Sequence, residues 1–434
     1  MTAISLERQS GDGWQDDLLR RDSAVFFNQA STSPCPIVFA KAEGSWVEDA
    51  TGKRYMDWFG NNCHNVGYAH PSIVAAIQAQ LTELPFVPRG YTAETSVLLA
   101  EKLAELWPGA PARVSLVPGG SSAVEIALSL ARVYTGRTKI ISFYTAYHGR
   151  SAGALSISSP AKGRSGKLEP LVPGTIFVPP FYSFERPDAV ETMAERSLQA
   201  IEEALEFEGD IAALIAEPIR NGPFMPPDGY WREVQALCQR HGTLLIFDEV
   251  PVGLGRTGRM FAGEHFGVVP DITVIGKALG GTALPLAAVI AEERLNCSPE
   301  LNLHYYTHDK NPLTAAAGLA TLNILVDEGL CQRSAQLGTE YLPELEKIGM
   351  VSGAVHDVRG VGLMFGMGFS GPESGGPSES NRATAFVAAA REEGLIANGR
   401  GANQVTLSPP LNIDSEDLRL GLEMVERALG KIAS

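Results

Sequence analysis

The 434-residue sequence has few cysteines, an excess of acidic over basic residues and no long apolar run. Its five cysteines form no CxxC pair, which argues against a disulfide framework or a thiolate metal site, so no metal centre is expected. No apolar run approaches the roughly 20 residues of a transmembrane helix, and the first residues lack the basic-then-apolar pattern of a signal peptide. The formal net charge of −15 disfavours binding to nucleic acid or to anionic membranes. These absences predict a soluble cytoplasmic protein.

The composition, 44% hydrophobic and 20% charged, is that of a globular chain with an ample core. Between about residues 138 and 289, short aliphatic segments alternate with longer amphipathic ones. The predicted strands are 139–143, 212–217, 243–248, 272–275 and 286–290, and the predicted helices between them include 191–207 and 230–241. This alternation predicts an α/β domain with a mostly parallel sheet. Because ligands of such sheets bind beyond the carboxyl ends of the strands, residues at those positions are the first candidates for function.

The two ends of the chain have a different pattern. Residues 44–58 predict a β-hairpin, and residues 314–328 and 332–348 predict helices. Residues 370–380 are rich in Gly, Pro and Ser and predict a surface loop. We therefore expect a large domain over residues 61–325, and a small domain that combines residues 1–60 with residues 326–434.

Two residues that follow predicted strands suggest cofactor chemistry. Lys277 lies between an apolar strand and a Gly-Gly pair, where its amine can be partly desolvated and suited to Schiff-base formation. Asp248 ends an apolar segment, where a carboxylate can pair with a protonated ring nitrogen. Taken singly, each has ordinary alternatives: a solvated lysine, and an aspartate that caps a helix or binds a metal.

Two further segments suggest how a phosphorylated planar ligand would be held. Gly120 and Ser121 open a predicted helix, whose free N–H groups and positive dipole end suit a phosphate. Tyr147 and His148 follow the strand 139–143, and an aromatic ring there can stack on a planar cofactor. An ordinary helix N-cap and a structural tyrosine are the alternatives for each segment alone.

Together, these segments resemble the class III (ω-amino acid) aminotransferases, which are pyridoxal 5′-phosphate (PLP) enzymes of fold type I. The matching segments are GGSSAVEIALSLAR, YHG, AEP, FDEV with GLGRTG, PDITVIGKALGG, and the threonine and Asn-Pro pair of THDKNP. They follow the family's order and spacing over most of the chain. The resemblance implies an α/β fold of type I, PLP as the cofactor, and a homodimer with active sites at the subunit interface.

The resemblance also implies a role for individual residues. Lys277 is similar to the lysine that forms the Schiff base and shuttles protons, Asp248 to the acid that pairs with the pyridine nitrogen, and Tyr147 to the stacking aromatic residue. The other implied cofactor contacts are Gly120 and Ser121 at the phosphate, His148 beside Tyr147, Glu217 near the cofactor, Val250 under the ring, and Thr307 reaching the phosphate from the partner subunit.

The sequence departs from the family pattern at two positions near the expected site. Pro251 stands where the family usually has a glutamine after the DEV motif, and proline cannot donate a hydrogen bond. Thr406 stands where the family normally has an arginine that binds the α-carboxylate of glutamate or 2-oxoglutarate. Because a hydroxyl does not replace a bidentate guanidinium, this change weakens the case for transamination coupled to 2-oxoglutarate.

Several cations also lie at unusual places. Arg220 and Lys310 replace residues that are uncharged in the family, Arg89 lies in a loop that lines the substrate entrance in relatives, and Arg400 lies near the substrate end. We expect these four residues to hold an anionic group of a small amine substrate. Surface salt bridging is the alternative for each of them.

Four functions compete at this point. The segments PGGSSA, EPIR, DEVP and YTHDKNP look most like a sub-branch that includes ammonia-lyases of 1-hydroxy-2-aminoethylphosphonate, which favours an ammonia-releasing lyase. A transaminase that uses an acceptor such as pyruvate is the first alternative, and an amino-acid racemase or epimerase is the second. A binding module that kept the fold without the cofactor is the third, and the joint presence of Lys277, Asp248 and Tyr147 argues against it.

Overall fold

The computed structural model describes residues 13–27, 35–109, 111–159, 168–184, 189–369, 382–400 and 403–432. The helices in this part of the chain are α1 (Trp14–Val25), α2 (Pro71–Glu83), α3 (Glu94–Leu106), α4 (Gly120–Thr135), α5 (Ala152–Ser156), α6 (Val190–Phe207), α7 (Tyr230–His241), α8 (Pro312–Asp327), α9 (Leu330–Ser352), α10 (Arg382–Glu392) and α11 (Ser415–Ile432). The strands are β1 (Phe39–Glu43), β2 (Trp46–Asp49), β3 (Arg54–Asp57), β4 (Ala112–Val117), β5 (Lys139–Phe143), β6 (Thr175–Val178), β7 (Ile211–Ala216), β8 (Leu244–Asp248), β9 (Ile272–Ile275), β10 (Ala287–Glu292), β11 (Val355–Val361), β12 (Met364–Phe369), β13 (Leu395–Ile396), β14 (Asn398–Arg400) and β15 (Gln404–Leu407). The surface loop predicted at residues 370–380 lies outside the described residues.

A seven-stranded sheet forms the centre of the molecule, in the order β4-β10-β9-β8-β7-β5-β6. Strands β9, β8, β7, β5 and β6 pair in parallel, and β10 is antiparallel to both of its neighbours. Every residue of β7, β8 and β9 is buried, as expected for aliphatic strands with both faces covered. The predicted α/β architecture with a mostly parallel sheet is confirmed. The carboxyl ends of β4, β5, β7, β8 and β9 meet at one edge.

Two smaller sheets are built from the ends of the chain, in the orders β1-β2-β3-β13 and β11-β12-β15-β14. The predicted hairpin is confirmed, since β2 and β3 pair antiparallel with Val47 opposite Tyr55. Strand β13 pairs in parallel with β3, which joins a C-terminal segment to the N-terminal sheet. A small domain made from both ends of the chain requires such a pairing. The predicted domain boundaries at residues 60 and 325 stay predictions.

The helices of the described residues include no single one that is long and apolar enough to cross a membrane. By length and composition alone, the bent pair of α8 and α9, with 58° between the two helices, would pass that test. Most of the apolar residues of α8 are buried inside the protein, where Leu322 and Leu325 belong to the main hydrophobic core.

Candidate active site

A cavity of about 420 Å³ lies beyond the carboxyl ends of the central strands. Nine of the residues expected to contact the cofactor or the substrate line it: Gly120, Ser121, Tyr147, His148, Glu217, Arg220, Asp248, Val250 and Lys277. The other lining residues are Asn61, Gly149, Asn221 and Pro251. The topology therefore brings together residues at or after the carboxyl ends of five strands, β3, β5, β7, β8 and β9, and residues at the start of α4.

Lys277 begins a short 3₁₀ turn immediately after β9 and has a left-handed backbone conformation, with φ of 46°. The preceding Gly276 allows close packing, because a Cβ atom there would lie 3.3 Å from the Ala287 side chain and 3.5 Å from Val250. A left-handed conformation costs a non-glycine residue about 1 kcal/mol or more, and such strain concentrates at functional sites. The turn places Lys277 in the cavity wall.

Asp248 and His148 form a buried pair in the cavity wall. The Nδ1 atom of His148 lies 2.7 Å from Oδ2 of Asp248, and the Val250 N–H donates to Oδ1 over 3.1 Å. These contacts compensate the negative charge of a carboxylate that is almost wholly removed from water. The Nε2 atom of His148 is buried without a hydrogen-bond partner among the described residues. The pair therefore fixes a carboxylate in the cavity wall.

The start of α4 supplies an anion site. The N-cap residue of α4 is Gly119, which has no side chain to cap the helix. The N–H groups of the first turn are therefore left for a ligand in the cavity, where Gly120 and Ser121 lie. Gly149 has φ of 136°, and a Cβ atom there would collide with the Ser121 hydroxyl. The Arg150 N–H donates to that hydroxyl over 3.1 Å. Only glycine at position 149 permits this close approach of the two segments.

Tyr147 and Val250 supply the apolar part of the cavity wall. The Tyr147 side chain is 54% exposed, so its ring is available to a ligand. Val250 lies against Gly120: a Cβ atom built on Gly120 would be 3.4 Å from the methyl groups of Val250. An aromatic face and a branched aliphatic side chain in one cavity suit a planar ring.

Glu217 and Arg220 form a buried ion pair on the loop after β7. The Arg220 Nη2 atom also donates to the Thr145 carbonyl over 3.1 Å, and Oε2 of Glu217 accepts from the Asn221 N–H over 3.2 Å. Burial acts to lower the pKa of Arg220, but the charges of Glu217 and Tyr182 and their hydrogen bonds to Arg220 together outweigh it and raise that pKa above its usual value. Arg220 therefore stays cationic, with Glu217 offsetting its charge.

Four residues expected at the site do not line this cavity. Arg89 lines a second cavity, of about 280 Å³, and bonds to the segment around residue 304. Thr307 and Lys310 are exposed, and the side chain of Arg400 lies outside the described residues. The roles expected for these residues stay predictions.

The two departures from the family pattern have clear structural positions. Pro251 lines the cavity directly. Thr406 lies in β15, is only 3% exposed, and its hydroxyl has no hydrogen-bond partner in the described part of the chain. The side chain at this position is therefore neutral, and Thr406 is not among the residues that line the cavity.

Sequence reasoning missed Asn61 and Asn221 as lining residues. Asn61 lies in a short turn after β3 and has a left-handed conformation, with φ of 50°. Nothing local indicates that this turn packs against the Lys277 turn. Asn221 could have been found, because it directly follows Arg220 in a loop beyond a predicted strand.

The chemistry of these residues fits PLP. Its phosphate matches the open start of α4, its pyridine ring matches Tyr147 and Val250, its ring nitrogen matches the buried Asp248, and its aldehyde matches Lys277. Fold and site together define a PLP-dependent enzyme of fold type I.

Comparison with known proteins narrows this class to one family. The sequence profile described as "Aminotransferase class-III" matches residues 27–429. The chain is 36% identical to (R)-1-hydroxy-2-aminoethylphosphonate ammonia-lyase of Vibrio splendidus, over 96% of the chain and 90% of that protein. It is 35% identical to acetylornithine aminotransferase of Methanosarcina acetivorans, over 99% of the chain and 100% of that protein, and 33% identical to leucine/methionine racemase of Thermococcus litoralis, over 96% of each. The chain belongs to the class III aminotransferase family.

Solved structures agree with this assignment. A Bacillus anthracis aminotransferase superposes with a TM-score of 0.90 at 32% identity, covering 98% of this chain and 100% of that one. Taurine:2-oxoglutarate aminotransferase of Bifidobacterium kashiwanohense, solved with PLP and glutamate, superposes with a TM-score of 0.89 at 28% identity, covering 96% and 98%. The protein is therefore a PLP-dependent enzyme.

Proposed function

We propose that this enzyme is an ammonia-releasing lyase that acts on a small primary amine with a neighbouring hydroxyl and an anionic group such as a phosphonate. The observation that carries the proposal is the distribution of positive charge. The described residues that line the cavity include two lysine or arginine side chains, Lys277 and Arg220; Lys277 is the expected Schiff-base residue, and Arg220 is already paired with Glu217. Thr406 adds no cation.

This distribution disfavours a dianionic amino acceptor. 2-Oxoglutarate carries two carboxylates, and each needs a fixed donor of positive charge in a buried site. Arg220 can bind one anionic group of a ligand while it keeps its ion pair with Glu217. A lyase needs no second acceptor substrate, so a single anion site is sufficient. The similarity to an ammonia-lyase of a hydroxy-aminophosphonate supports the same choice.

The residues have distinct tasks in this proposal. When bound, PLP supplies an electron sink that weakens the bonds to the amine-bearing carbon. Asp248, held by His148, keeps a proton on the ring nitrogen. The Lys277 amine removes a proton from the amine-bearing carbon and can return it to the departing hydroxyl oxygen. Arg220 orients the substrate through its anionic group.

The atoms balance without any co-substrate. Loss of the proton and of the neighbouring hydroxyl releases one water, and addition of one water to the released enamine gives an aldehyde and ammonia. The electrons of the broken C–H bond remain in the product. No keto acid is consumed.

Turnover of the holoenzyme with racemic 1-hydroxy-2-aminoethylphosphonate, without any keto acid, tests the proposal. We expect many turnovers, with one ammonia and one aldehyde formed per substrate consumed. Lys277→Ala is the control for release that does not depend on the enzyme. A transaminase would instead stall after one turnover per site until pyruvate or 2-oxoglutarate is added. A racemase would release no ammonia and would instead interconvert the enantiomers of an amino acid whose amine-bearing carbon is a stereocentre, and either result would overturn the proposal.

We further propose a homodimer in a reducing cytoplasm. Thr307 is exposed and lies outside its own protomer's cavity, as expected of a residue that reaches the partner's phosphate site. The five cysteines are free, which suits a reducing compartment. Size-exclusion chromatography with light scattering tests the dimer, and cell fractionation tests the location.

A further inference from the structure

The loop after β7 ends in a tight turn that points into the cavity wall. The backbone groups of Arg220 and Phe224 exchange two hydrogen bonds, of 3.0 and 2.9 Å, which leaves Asn221, Gly222 and Pro223 at the tip. The Asn221 N–H is held by Glu217, and the Gly222 carbonyl accepts two hydrogen bonds from Arg359, of 3.2 and 2.9 Å. Asn221 therefore has a rigid backbone.

The Asn221 side chain is poised for a ligand. It is only 3% exposed and lines the cavity, and its Oδ1 atom has no hydrogen-bond partner among the described residues. The neighbouring Arg220 Nε is also buried without a partner in that part of the chain. Since buried polar groups are normally hydrogen-bonded, each unmet group calls for an explanation. Two adjacent residues of the cavity wall thus carry one hydrogen-bond acceptor, Oδ1 of Asn221, and one donor, Nε of Arg220, that have no partner among the described residues.

We propose that Asn221 and Arg220 together recognise a hydroxyl and the oxyanion group next to it on the substrate. The hydroxyl donates to Oδ1 of Asn221, and the anion accepts from Nε of Arg220. This inference rests on the proposed function and adds the residue that reads the hydroxyl. A ligand with the anion alone leaves the buried Asn221 oxygen unmatched, and sites built for a hydroxyl reject analogues that lack it.

The arrangement also suits the departure of the hydroxyl. Because Asn221 accepts the hydroxyl's own proton in a hydrogen bond, the lone pairs of the hydroxyl oxygen stay available to receive another proton as the C–O bond breaks. The rigid turn would hold that oxygen in one orientation. Asn221 is in this sense a specificity and positioning residue.

Calorimetric titration of the holoenzyme with two amine-free analogues, 1-hydroxyethylphosphonate and ethylphosphonate, tests the proposal without turnover. For the wild type we expect the hydroxy compound to bind about tenfold more tightly, the effect of one satisfied buried hydrogen bond. Asn221→Ala should bring the ratio close to one and change ethylphosphonate binding little. Lactate and propionate form the matching carboxylate pair. A preference in either pair supports the proposal, and the tighter pair identifies the anion.

Matched variants separate the hydroxyl contact from general damage. Asn221→Asp keeps the acceptor, so we expect the hydroxyl preference to persist while both phosphonates bind more weakly beside the added negative charge. Asn323→Ala, at an exposed position of α8, should leave all affinities unchanged. Asn221→Leu has a similar volume and gives the same comparison if Asn221→Ala does not fold.

Two results would overturn the inference: equal binding of both analogues to the wild type, or a hydroxyl preference that survives in Asn221→Ala. These results are independent of the reaction. Ammonia release without keto acid, together with no hydroxyl preference, would reject the Asn221 contact and keep the lyase. A hydroxyl preference that depends on Asn221, in an enzyme that needs a keto acid, would keep the Asn221 contact and reject the lyase.

Discussion

Among single residues, Lys277 combines an unusual backbone with a functional position. Its left-handed conformation directs the chain into a 3₁₀ turn directly after β9, with Gly276 packed against Ala287 and Val250. A backbone held in this way fixes the point from which the Lys277 side chain enters the cavity, which favours reaction at one place.

Lys277→Ala is expected to abolish covalent attachment of the cofactor and to lower turnover by about 10³-fold or more, since the nucleophile itself is removed. Borohydride reduction of the wild type followed by peptide mapping should label Lys277. Lys347→Ala, at an exposed position of α9, is the control and should behave as wild type. A label on another lysine would contradict the assignment.

His64 gives the fold a pH dependence that is independent of the reaction. The ring is fully buried, its Nε2 lies 3.0 Å from the Asp57 carbonyl, and burial lowers its pKa from 6.5 to about 4. Between these values the unfolded chain binds more protons than the folded one. Stability therefore rises with pH over this window, is fully present above about 6.5, and is lost as the pH falls through about 4.

We expect His64 to contribute a loss of about 3 kcal/mol in the free energy of unfolding between pH 7 and pH 4. His64→Gln should flatten the pH dependence of thermal unfolding in that range. Comparing variant with wild type removes the contribution of Glu249, whose pKa burial raises to about 7 and whose effect has the opposite sign. Parallel curves for wild type and His64→Gln would refute this account.

At the level of elements, the segment 302–310 is tied to the loop that precedes α3. Arg89 donates to the His304 carbonyl and, over 3.1 Å, to Asn302, and its guanidinium lies 4.9 Å from the Tyr305 ring centroid. It also lies 3.7 Å from the buried Asp309, which accepts from the Tyr306 N–H. Within its own protomer, Arg89 thus organises the segment that carries Thr307.

Arg89→Ala is therefore expected to weaken cofactor binding about tenfold, through disorder of the Thr307 segment and loss of a charge-assisted contact. Equilibrium dialysis of PLP measures the affinity, and limited proteolysis reports the opening of residues 302–310. Arg113→Ala removes an exposed ion pair with Glu293 and should change neither. A variant with unchanged cofactor affinity but weaker binding of phosphonates would instead support a substrate contact for Arg89.

At the scale of the whole molecule, large apolar side chains are exposed on α2, α3 and the loops beside them. These side chains are Leu81, Leu84, Phe86, Tyr91, Val97, Leu98 and Tyr305. Apolar groups exposed in this number on one region are typical of a subunit contact. They support the proposed dimer, in which Thr307 would complete the partner's site.

Subunit mixing tests that arrangement. Lys277→Ala lacks the lysine, and Thr307→Ala should bind the cofactor weakly because a hydrogen bond to a charged phosphate is lost. In a mixed dimer one of the two sites combines an intact Lys277 with an intact Thr307. Mixing should therefore restore about a quarter of wild-type activity, since half of the dimers are mixed. No recovery after proven subunit exchange would show that Thr307 does not act across the interface.

Local sequence was sufficient for five of the seven strands of the central sheet, and together with the family resemblance for nine of the residues that line the cavity. Aliphatic segments buried on both faces predict strands of a covered sheet, and five of the observed strands agree with the predicted ones within one or two residues. Lys277, Asp248 and Tyr147 follow such strands, so the common direction of the strands already places them at one edge. Strands β4 and β6 were not predicted, because their mixed burial weakens the pattern.

Tertiary structure alone decided the polar character of the site. Asn61 enters the cavity because the turn after β3 packs against the Lys277 turn, a contact between segments far apart in the chain. The charge of Arg220 is offset because Glu217 lies within reach, and Arg89 is engaged elsewhere by Asp309. Periodicity and turn residues encode each element by itself. The distances between loops, and so the pairing of their charges, arise only when distant elements pack.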